Sequence, residues 1–218
     1  RDGVPEPLCR VADVAFSGDG EPTSYPRFAE LVNEVGQRID GTVPGTPMTL
    51  LTNSTLFHVP YVRAGLDALV AKGGRIWAKL DAGTETWYRT VSRSAVPYAR
   101  VLDNIREPAL RHPLVIQSLF MRLGAEGPRP EEIDAYAARL AAIVAAGGTL
   151  AGVQVTTVAR RPPRPDVAAL GQGELEEIAR RARAAVPGVP VEVFASTGGA
   201  PARSEATSAG SVPGEERR

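Results

Sequence analysis

The sequence predicts an α/β protein built around a parallel β-sheet. Short apolar runs alternate with amphipathic segments from residue 11 to about residue 195, which is typical of repeated βα units. The 218 residues, 43% of them hydrophobic, can bury one full-sized core. We therefore expect one domain over residues 11–195, with a loop remnant at 1–10 and a disordered Gly/Ser/Pro-rich tail at 196–218.

Six apolar runs are interpreted as strands, at residues 11–16, 48–53, 75–81, 114–120, 152–158 and 191–195. Five helices are predicted between them, at about residues 26–39, 59–72, 97–106, 130–146 and 174–185. In the fourth helix, spacings of three and four predict one buried face made of Ile133, Tyr136, Ala137, Leu140, Ile143 and Val144. A complete eight-fold barrel takes about 250 residues. The pattern therefore fits either an open doubly wound sheet or a partial barrel.

Composition excludes several classes of function. Lys+Arg and Asp+Glu both number 25, so net charge gives no case for binding nucleic acid or an anionic membrane. The apolar runs are too short to span a membrane, and we expect a cytoplasmic protein. Cys9 is the only cysteine, which excludes an intrachain disulfide within these residues. His58 and His112 stand in separate linkers and are not predicted to bind metal.

Polar residues recur at the carboxyl ends of the predicted strands, where parallel α/β proteins bind ligands. Each group alone is explained by a hydrogen bond to neighbouring backbone, but their recurrence on five strands predicts a shared polar cavity. The groups, strand by strand, are residues 17–21; Thr52, Asn53, Ser54 and Thr55; Lys79 and Asp81; Gln117 and Ser118; and Gln154, Thr156 and Thr157.

The loop Gly-Asp-Gly-Glu-Pro at residues 18–22 is the most informative of these segments. Its glycines allow close backbone approach, and its two acids favour an ammonium or another donor-rich group over a phosphate. Pro22 would lead into a helix capped by Thr23 or Ser24. As a loop carboxylate, Glu21 is expected to contribute little to stability. A simple turn is the alternative interpretation.

Several segments of the chain resemble the radical S-adenosylmethionine (SAM) superfamily. "FSGDGEPT" (16–23) resembles the Gly-Gly-Glu-Pro motif of that superfamily, and "LLTNSTL", "WAKLDAGTETWYRTVSR", "LVIQSLF" and "VQVTTVARRPP" follow in the same order as its later strands. The similarity covers residues 11–195, and "SGDGEPT" together with "LDAGTE" resembles its iron-sulfur oxidoreductase-like branch. The resemblance implies a partial (βα) barrel of about six parallel strands.

The resemblance also implies SAM as a cofactor. The amino-acid end of SAM would be held by Ser17, Gly18, Asp19, Gly20 and Glu21. Its carboxylate or ribose would lie near Asn53, Lys79 and Asp81. Arg93 would contact a carboxylate or order its loop, and the cavity would be faced by Gln117 and Thr156.

One feature of the superfamily is missing from these residues. Members hold a [4Fe-4S] cluster through a C-x3-C-x2-C loop after the first strand, whereas this chain has Cys9 alone. We therefore expect the chain to correspond to the barrel from its second strand onward, without the first strand and cluster loop. The intact parent would cleave SAM reductively to a 5'-deoxyadenosyl radical that abstracts hydrogen from an unknown substrate, with flavodoxin or ferredoxin as reductant. The chain as given is expected to be inactive.

Two other functions stay open from the sequence. A cofactor-free βα-barrel lyase or aldolase could use the Lys79 amine to form a Schiff base. A non-catalytic α/β binding domain would fit the same strand pattern. Whether the chain is an enzyme is therefore open at this point.

Overall fold

The computed structural model describes residues 11–18, 20–160 and 162–195. The expected loop remnant at 1–10 and tail at 196–218, as well as Cys9 and Asp19, lie outside the described residues. All six predicted strands are confirmed, and so are the five predicted helices, with boundaries shifted by up to three residues.

The described part of the chain contains seven strands and six α-helices. The strands are β1 (Val14–Phe16), β2 (Met48–Thr52), β3 (Arg75–Lys79), β4 (Leu114–Leu123), β5 (Leu150–Thr157), β6 (Val167–Ala169) and β7 (Val191–Phe194). The α-helices are α1 (Phe28–Thr42), α2 (Pro60–Ala71), α3 (Glu85–Ser92), α4 (Tyr98–Ala109), α5 (Pro130–Ala145) and α6 (Gln172–Ala185). A short 3-10 helix spans Pro22–Ser24.

The sheet is parallel and open. Its strand order is β1-β2-β3-β4-β5-β7, and every neighbouring pair in that order is parallel. The short β6 pairs antiparallel with the end of β4. Within the described ranges β1 and β7 do not pair with each other, so the sheet does not close into a barrel. The fold is thus the α/β partial barrel that the sequence predicts.

The two faces of the sheet have different surroundings. Along β4, residues at even positions from Leu114 to Phe120 are buried, whereas those between them stay partly exposed. The buried face packs on helices: Phe120 meets Tyr136 of α5 edge-on, with ring centroids 5.1 Å apart, and Phe16 meets Phe28 of α1 at 6.0 Å. The opposite face carries the polar side chains of Lys79, Gln117 and Gln154 together with Trp77 and Val115, and all five are partly exposed.

Two elements and one buried position differ from the sequence prediction. Helix α3 was not predicted because it is only eight residues long and buries only Tyr88. Strand β6 is only three residues long, too short to give a pattern. The prediction that Val144 is buried is wrong: it is 41% exposed, because it lies at the margin of the apolar face in the last turn of α5. No helix in the described ranges has the length and apolarity needed to cross a membrane.

The contact between α1 and α2 predicts a strong effect for one glycine substitution. A Cβ at Gly65 of α2 would lie 2.3 Å from Cδ1 of Phe28, which is fully buried. We expect Gly65→Ala to destabilise the protein by about 1–3 kcal/mol through overpacking, despite the better helix propensity of alanine. The measurement is the midpoint of urea unfolding.

A second helical glycine provides the matched control. A Cβ at Gly41 of α1 meets none of the described atoms within 4 Å. Gly41→Ala should therefore leave stability unchanged or raise it by up to about 1 kcal/mol. Equal effects of the two substitutions would contradict the proposed α1–α2 contact.

Candidate functional site

The loop after β1 offers exposed backbone at the carboxyl end of the sheet. Gly18 has φ 145°, a conformation that residues with a side chain rarely adopt. A Cβ built at Gly18 or Gly20 meets no atom of the described residues within 4 Å, so no described part of the chain fills the space next to them. The glycines therefore expose main-chain groups to anything that binds above the loop. Ser17 is exposed beside them.

The Glu21 carboxylate fastens this loop to the end of β2. Its Oε1 accepts hydrogen bonds from the Thr23 N–H (3.1 Å), the Thr23 hydroxyl (2.5 Å) and the Thr52 hydroxyl (2.6 Å). Its Oε2 accepts one from the Asn53 N–H, at 2.8 Å. Hydrogen bonds to a charged acceptor are stronger than hydrogen bonds between two neutral groups. Glu21 is therefore a structural residue as well as a candidate ligand-binding residue.

The structure corrects two expectations about this loop. Neither Thr23 nor Ser24 caps the helix that follows; Glu21 caps the 3-10 helix Pro22–Ser24, and α1 begins only at Phe28. The expectation that Glu21 contributes little to stability also does not fit a carboxylate that accepts four hydrogen bonds. The partners of Glu21 could not be read from the sequence, because Thr52 lies 31 residues away.

The loop between β2 and α2 is held just as firmly. The Asn53 side-chain oxygen accepts hydrogen bonds from the N–H (3.0 Å) and hydroxyl (2.6 Å) of Thr55. Asn104 of α4, which is buried, donates to the carbonyls of Ser54 and Thr55, both at 2.8 Å. Sequence reasoning missed Asn104; its only signal was a polar residue among apolar neighbours on the buried face of α4.

Lys79 and Asp81 form an ion pair on the open face of the sheet. Lys79 Nζ lies 3.2 Å from Asp81 Oδ2, and Asp81 Oδ1 accepts a hydrogen bond from the Leu119 N–H at 2.8 Å. The pair is partly shielded, with side chains 28% and 17% exposed. A Schiff-base lyase uses a free lysine amine as nucleophile. An amine held in an ion pair gives that alternative no support.

A cavity of about 280 Å³ lies beside this ion pair. Asn53 lines it together with Lys79 and Asp81, so three of the predicted site residues come together there. The other lining residues come mainly from α3 and β4 and from the segments that flank them: Thr55, Leu80, Tyr88, Val91, Ser92, Ser94, Val101, Leu119 and Met121.

The remaining predicted residues lie around the cavity without lining it. Gln117 is the cross-strand partner of Lys79, and its amide donates to Gln154 at 3.2 Å. The Thr156 hydroxyl donates to the Ser118 carbonyl at 3.0 Å, which satisfies it locally. Arg93 is exposed just after α3, with φ 49°. The structure thus gathers part of the predicted set into one cavity.

A buried carboxylate from α5 holds the loop that follows β3. Glu132 is only 5% exposed and accepts hydrogen bonds from the Gly83 N–H, the Thr84 N–H (3.0 Å) and the Thr84 hydroxyl (2.5 Å). Thr84 in turn accepts from the Trp87 N–H at 3.2 Å and caps α3. Sequence reasoning missed Glu132 because acids in a first helical turn are common and usually solvated.

The same loop is held by two further side chains. The Tyr98 hydroxyl donates to the Ala82 carbonyl at 2.7 Å, and Arg139 donates to the Gly83 carbonyl at 3.1 Å. A Cβ at Gly83 would lie 2.1 Å from the backbone nitrogen of Tyr136, so the loop rests directly on α5. Burial raises the pKa of Tyr98 to about 12, which keeps its hydroxyl protonated as a donor.

The described residues do not fit an iron-sulfur cluster. No three His, Cys, Asp or Glu side chains among them are grouped so that they could hold a metal ion. A [4Fe-4S] cluster needs thiolates, and the one cysteine of the sequence, Cys9, lies outside these ranges. The acceptor-rich loop and the cavity are, by contrast, compatible with a small ligand that carries an ammonium and a carboxylate.

Comparison with known proteins supports the fold. No family model and no curated protein sequence matches the chain. The structure is similar to that of a radical SAM methyltransferase from Sphaerobacter thermophilus, with a TM-score of 0.57 and 16% sequence identity. The match covers 86% of this chain and 52% of that one, so this chain spans about half the length of the solved structure. The fold is therefore radical SAM-like.

The Glu21 contacts generate a prediction about stability. In Glu21→Gln, the amide has one acceptor oxygen for the N–H groups of Thr23 and Asn53, so its NH₂ must face one of these two donors. We expect a loss of about 1.5–3 kcal/mol in the free energy of unfolding, as for a hydrogen bond to a charged group. Glu30→Gln, on the exposed surface of α1, is the control and should change stability little. Equal midpoints of urea unfolding for both variants would contradict this role.

Burial of Glu132 generates a prediction about pH. Burial raises its pKa above the ordinary value of 4.5, and the hydrogen bonds from Thr84 and Gly83 offset this only in part. The folded protein then binds this proton more tightly than the unfolded chain. Its stabilising effect is full below pH 4.5 and is lost as pH rises through the raised pKa. As pH rises from 4.5 through the raised pKa, the free energy of unfolding of the wild type should fall relative to that of Glu132→Gln. A difference between their urea midpoints that does not change with pH would contradict this.

Proposed function

We propose that this chain binds SAM at the carboxyl ends of β1, β2 and β3, as the cofactor-binding part of a radical SAM enzyme. The observation that carries the proposal is the glycine loop at 18–22, fastened by Glu21 to the end of β2 beside the cavity of Asn53, Lys79 and Asp81. A shaped acceptor loop and a paired lysine at one sheet edge suit a ligand with an ammonium and a carboxylate. The radical SAM-like fold and the "SGDGEPT" and "LDAGTE" segments support it.

The loop would receive the ammonium group of the methionine moiety. Three donors already occupy Glu21 Oε1. Among the described residues, Oε2 accepts only the Asn53 N–H and has a lone pair left for another donor. An ammonium could therefore bind without opening the contact between loop and β2. Ser17, Gly18 and Gly20 would contribute backbone groups, and Asp19 would add negative charge.

The cavity would receive the carboxylate and the ribose. Lys79 would bind the SAM carboxylate, in competition with Asp81 at 3.2 Å. Asp81 would accept a hydrogen bond from a ribose hydroxyl. Asn53, whose side-chain oxygen already accepts two hydrogen bonds from Thr55, would donate its NH₂ group to a ribose oxygen. Arg93, Gln117 and Thr156, which lie around the cavity, are assigned to the outer shell of the same site.

In the radical SAM superfamily, SAM and a reduced [4Fe-4S] cluster together supply a 5'-deoxyadenosyl radical that abstracts hydrogen from a substrate. Because the described residues hold no thiolate set, we assign this chain the positioning of SAM and no step that involves the cluster. Supply of the cluster by a further segment, reduction by flavodoxin or ferredoxin, the identity of the substrate and a cytoplasmic location stay predictions.

The experiment is a titration of the purified chain with SAM, in which isothermal titration calorimetry measures binding. We expect saturable binding, weakened by Gly20→Val by at least about tenfold because the branched side chain occupies the space that the ligand needs. The substitution should not disturb the fold, since a Cβ at Gly20 meets no atom within 4 Å in the part of the chain that the structure describes.

Gly173→Val is the matched control. Gly173 lies in the first turn of α6, and a Cβ there likewise meets no described atom within 4 Å, but it is remote in sequence from every assigned residue. It should leave SAM affinity unchanged. Absence of binding to the wild type, or equal affinities of the Gly20→Val and Gly173→Val variants, would contradict the proposed function.

A further inference from the structure

Residues 82–84 form a loop whose backbone is held almost entirely by other elements. The Glu132 carboxylate of α5 accepts hydrogen bonds from the N–H groups of Gly83 and Thr84 and from the Thr84 hydroxyl. Tyr98 donates a hydrogen bond to the Ala82 carbonyl, and Arg139 donates one to the Gly83 carbonyl. Each contact spans 16 or more residues of sequence. The loop has therefore no freedom to move without breaking contacts to α4 and α5.

This loop connects two walls of the 280 Å³ cavity. Asp81 lies on its amino-terminal side, and α3, which contributes Tyr88, Val91 and Ser92 to the cavity, begins on its carboxy-terminal side. A shift of the Gly83 or Thr84 backbone would therefore move Asp81 relative to Lys79 and would tilt α3.

The burial of Glu132 is unusual for the position it occupies. Its neighbour Glu131, in the same first turn of α5, is exposed and makes no side-chain hydrogen bond within the described ranges, as is common for acids at a helix start. Glu132 instead points into the protein, where an unpaired carboxylate would be costly. The three donors from the loop are what make its burial tolerable, so loop and carboxylate depend on each other.

We propose that Glu132 is a positioning residue for the SAM site: it fixes loop 82–84, and through it the Asp81 carboxylate. The inference rests on the proposed function and deepens it. Glu132 itself lines a different cavity, with Thr84 and Trp87, and does not line that of Asp81. Its effect on SAM therefore passes through the backbone that it binds.

A double-mutant cycle with SAM affinity as the readout tests this route. The single variants are Glu132→Gln and Asp81→Asn, and the double variant combines them. We expect Glu132→Gln to weaken SAM binding about tenfold in the wild-type background and to have no further effect once Asp81→Asn is present. A general loss of stability would weaken binding by the same factor in both backgrounds.

Two further variants keep the test decisive. Thr84→Val removes the hydroxyl that donates to Glu132 and also caps α3, with little change in volume. It should weaken SAM binding as Glu132→Gln does, and it replaces that variant should the latter fold poorly. Glu131→Gln is the matched control on α5 and should leave affinity unchanged. All affinities are compared at a temperature where circular dichroism shows each variant folded.

The outcomes separate the inference from the proposed function. If the wild type binds no SAM, the proposed function is overturned. The contact between Glu132 and loop 82–84 is then tested by amide hydrogen exchange at Gly83 and Thr84. Unchanged exchange rates in Glu132→Gln would overturn the inference that Glu132 fixes this loop. A wild type that binds SAM, with equal affinity in Glu132→Gln and Thr84→Val, overturns the positioning role alone. An equal loss in both backgrounds of the cycle does so too.

Discussion

Backbone N–H groups at the ends of parallel strands need acceptors, and this protein supplies them with glutamate side chains. Beyond the last ladder bond, each strand turns into a loop whose donors have no partner within the sheet. Glu21 accepts the Thr23 and Asn53 N–H groups, and Glu132 accepts those of Gly83 and Thr84. Each carboxylate thereby ties a strand-end loop to a different element. The shape of the sheet's carboxyl edge depends on these two contacts.

A ligand site gains from such an arrangement because its loops are ordered before the ligand arrives. Ordering a residue costs about 1–2 kcal/mol of backbone entropy, and here folding already meets that cost for residues 21–24 and 82–84. The polar residues of the open face are also fixed in register, as Lys79 and Gln117 are on neighbouring strands. The edge is therefore a preorganised polar surface above a sheet whose other face is packed on helices.

The fold could be predicted from the sequence because its signals are local. Every strand except β6 is a short apolar run, and α5 shows a helical period with acids at its start. Helix α3 escaped prediction because it is only eight residues long, and its capping residue, Thr84, is held by a residue 48 positions away. The site was predicted only in part for the same reason. The sequence indicates which residues lie at strand ends, but the contacts of Glu21, Glu132 and Asn104 cross 31 to 50 residues.

In the Gly-Asp-Gly-Glu-Pro loop, the residue that holds the loop in place, Glu21, is also the one we propose as a ligand-binding group. A carboxylate offers about four lone-pair positions, and the contacts within the protein are concentrated on one oxygen of Glu21. The second oxygen keeps capacity on the side of Asn53, which lines the cavity. A glutamine could not divide its contacts in this way, because one end of an amide is a donor. A glutamate at position 21 thus provides two acceptor oxygens, whereas a turn alone would need only the glycines and the proline of this loop.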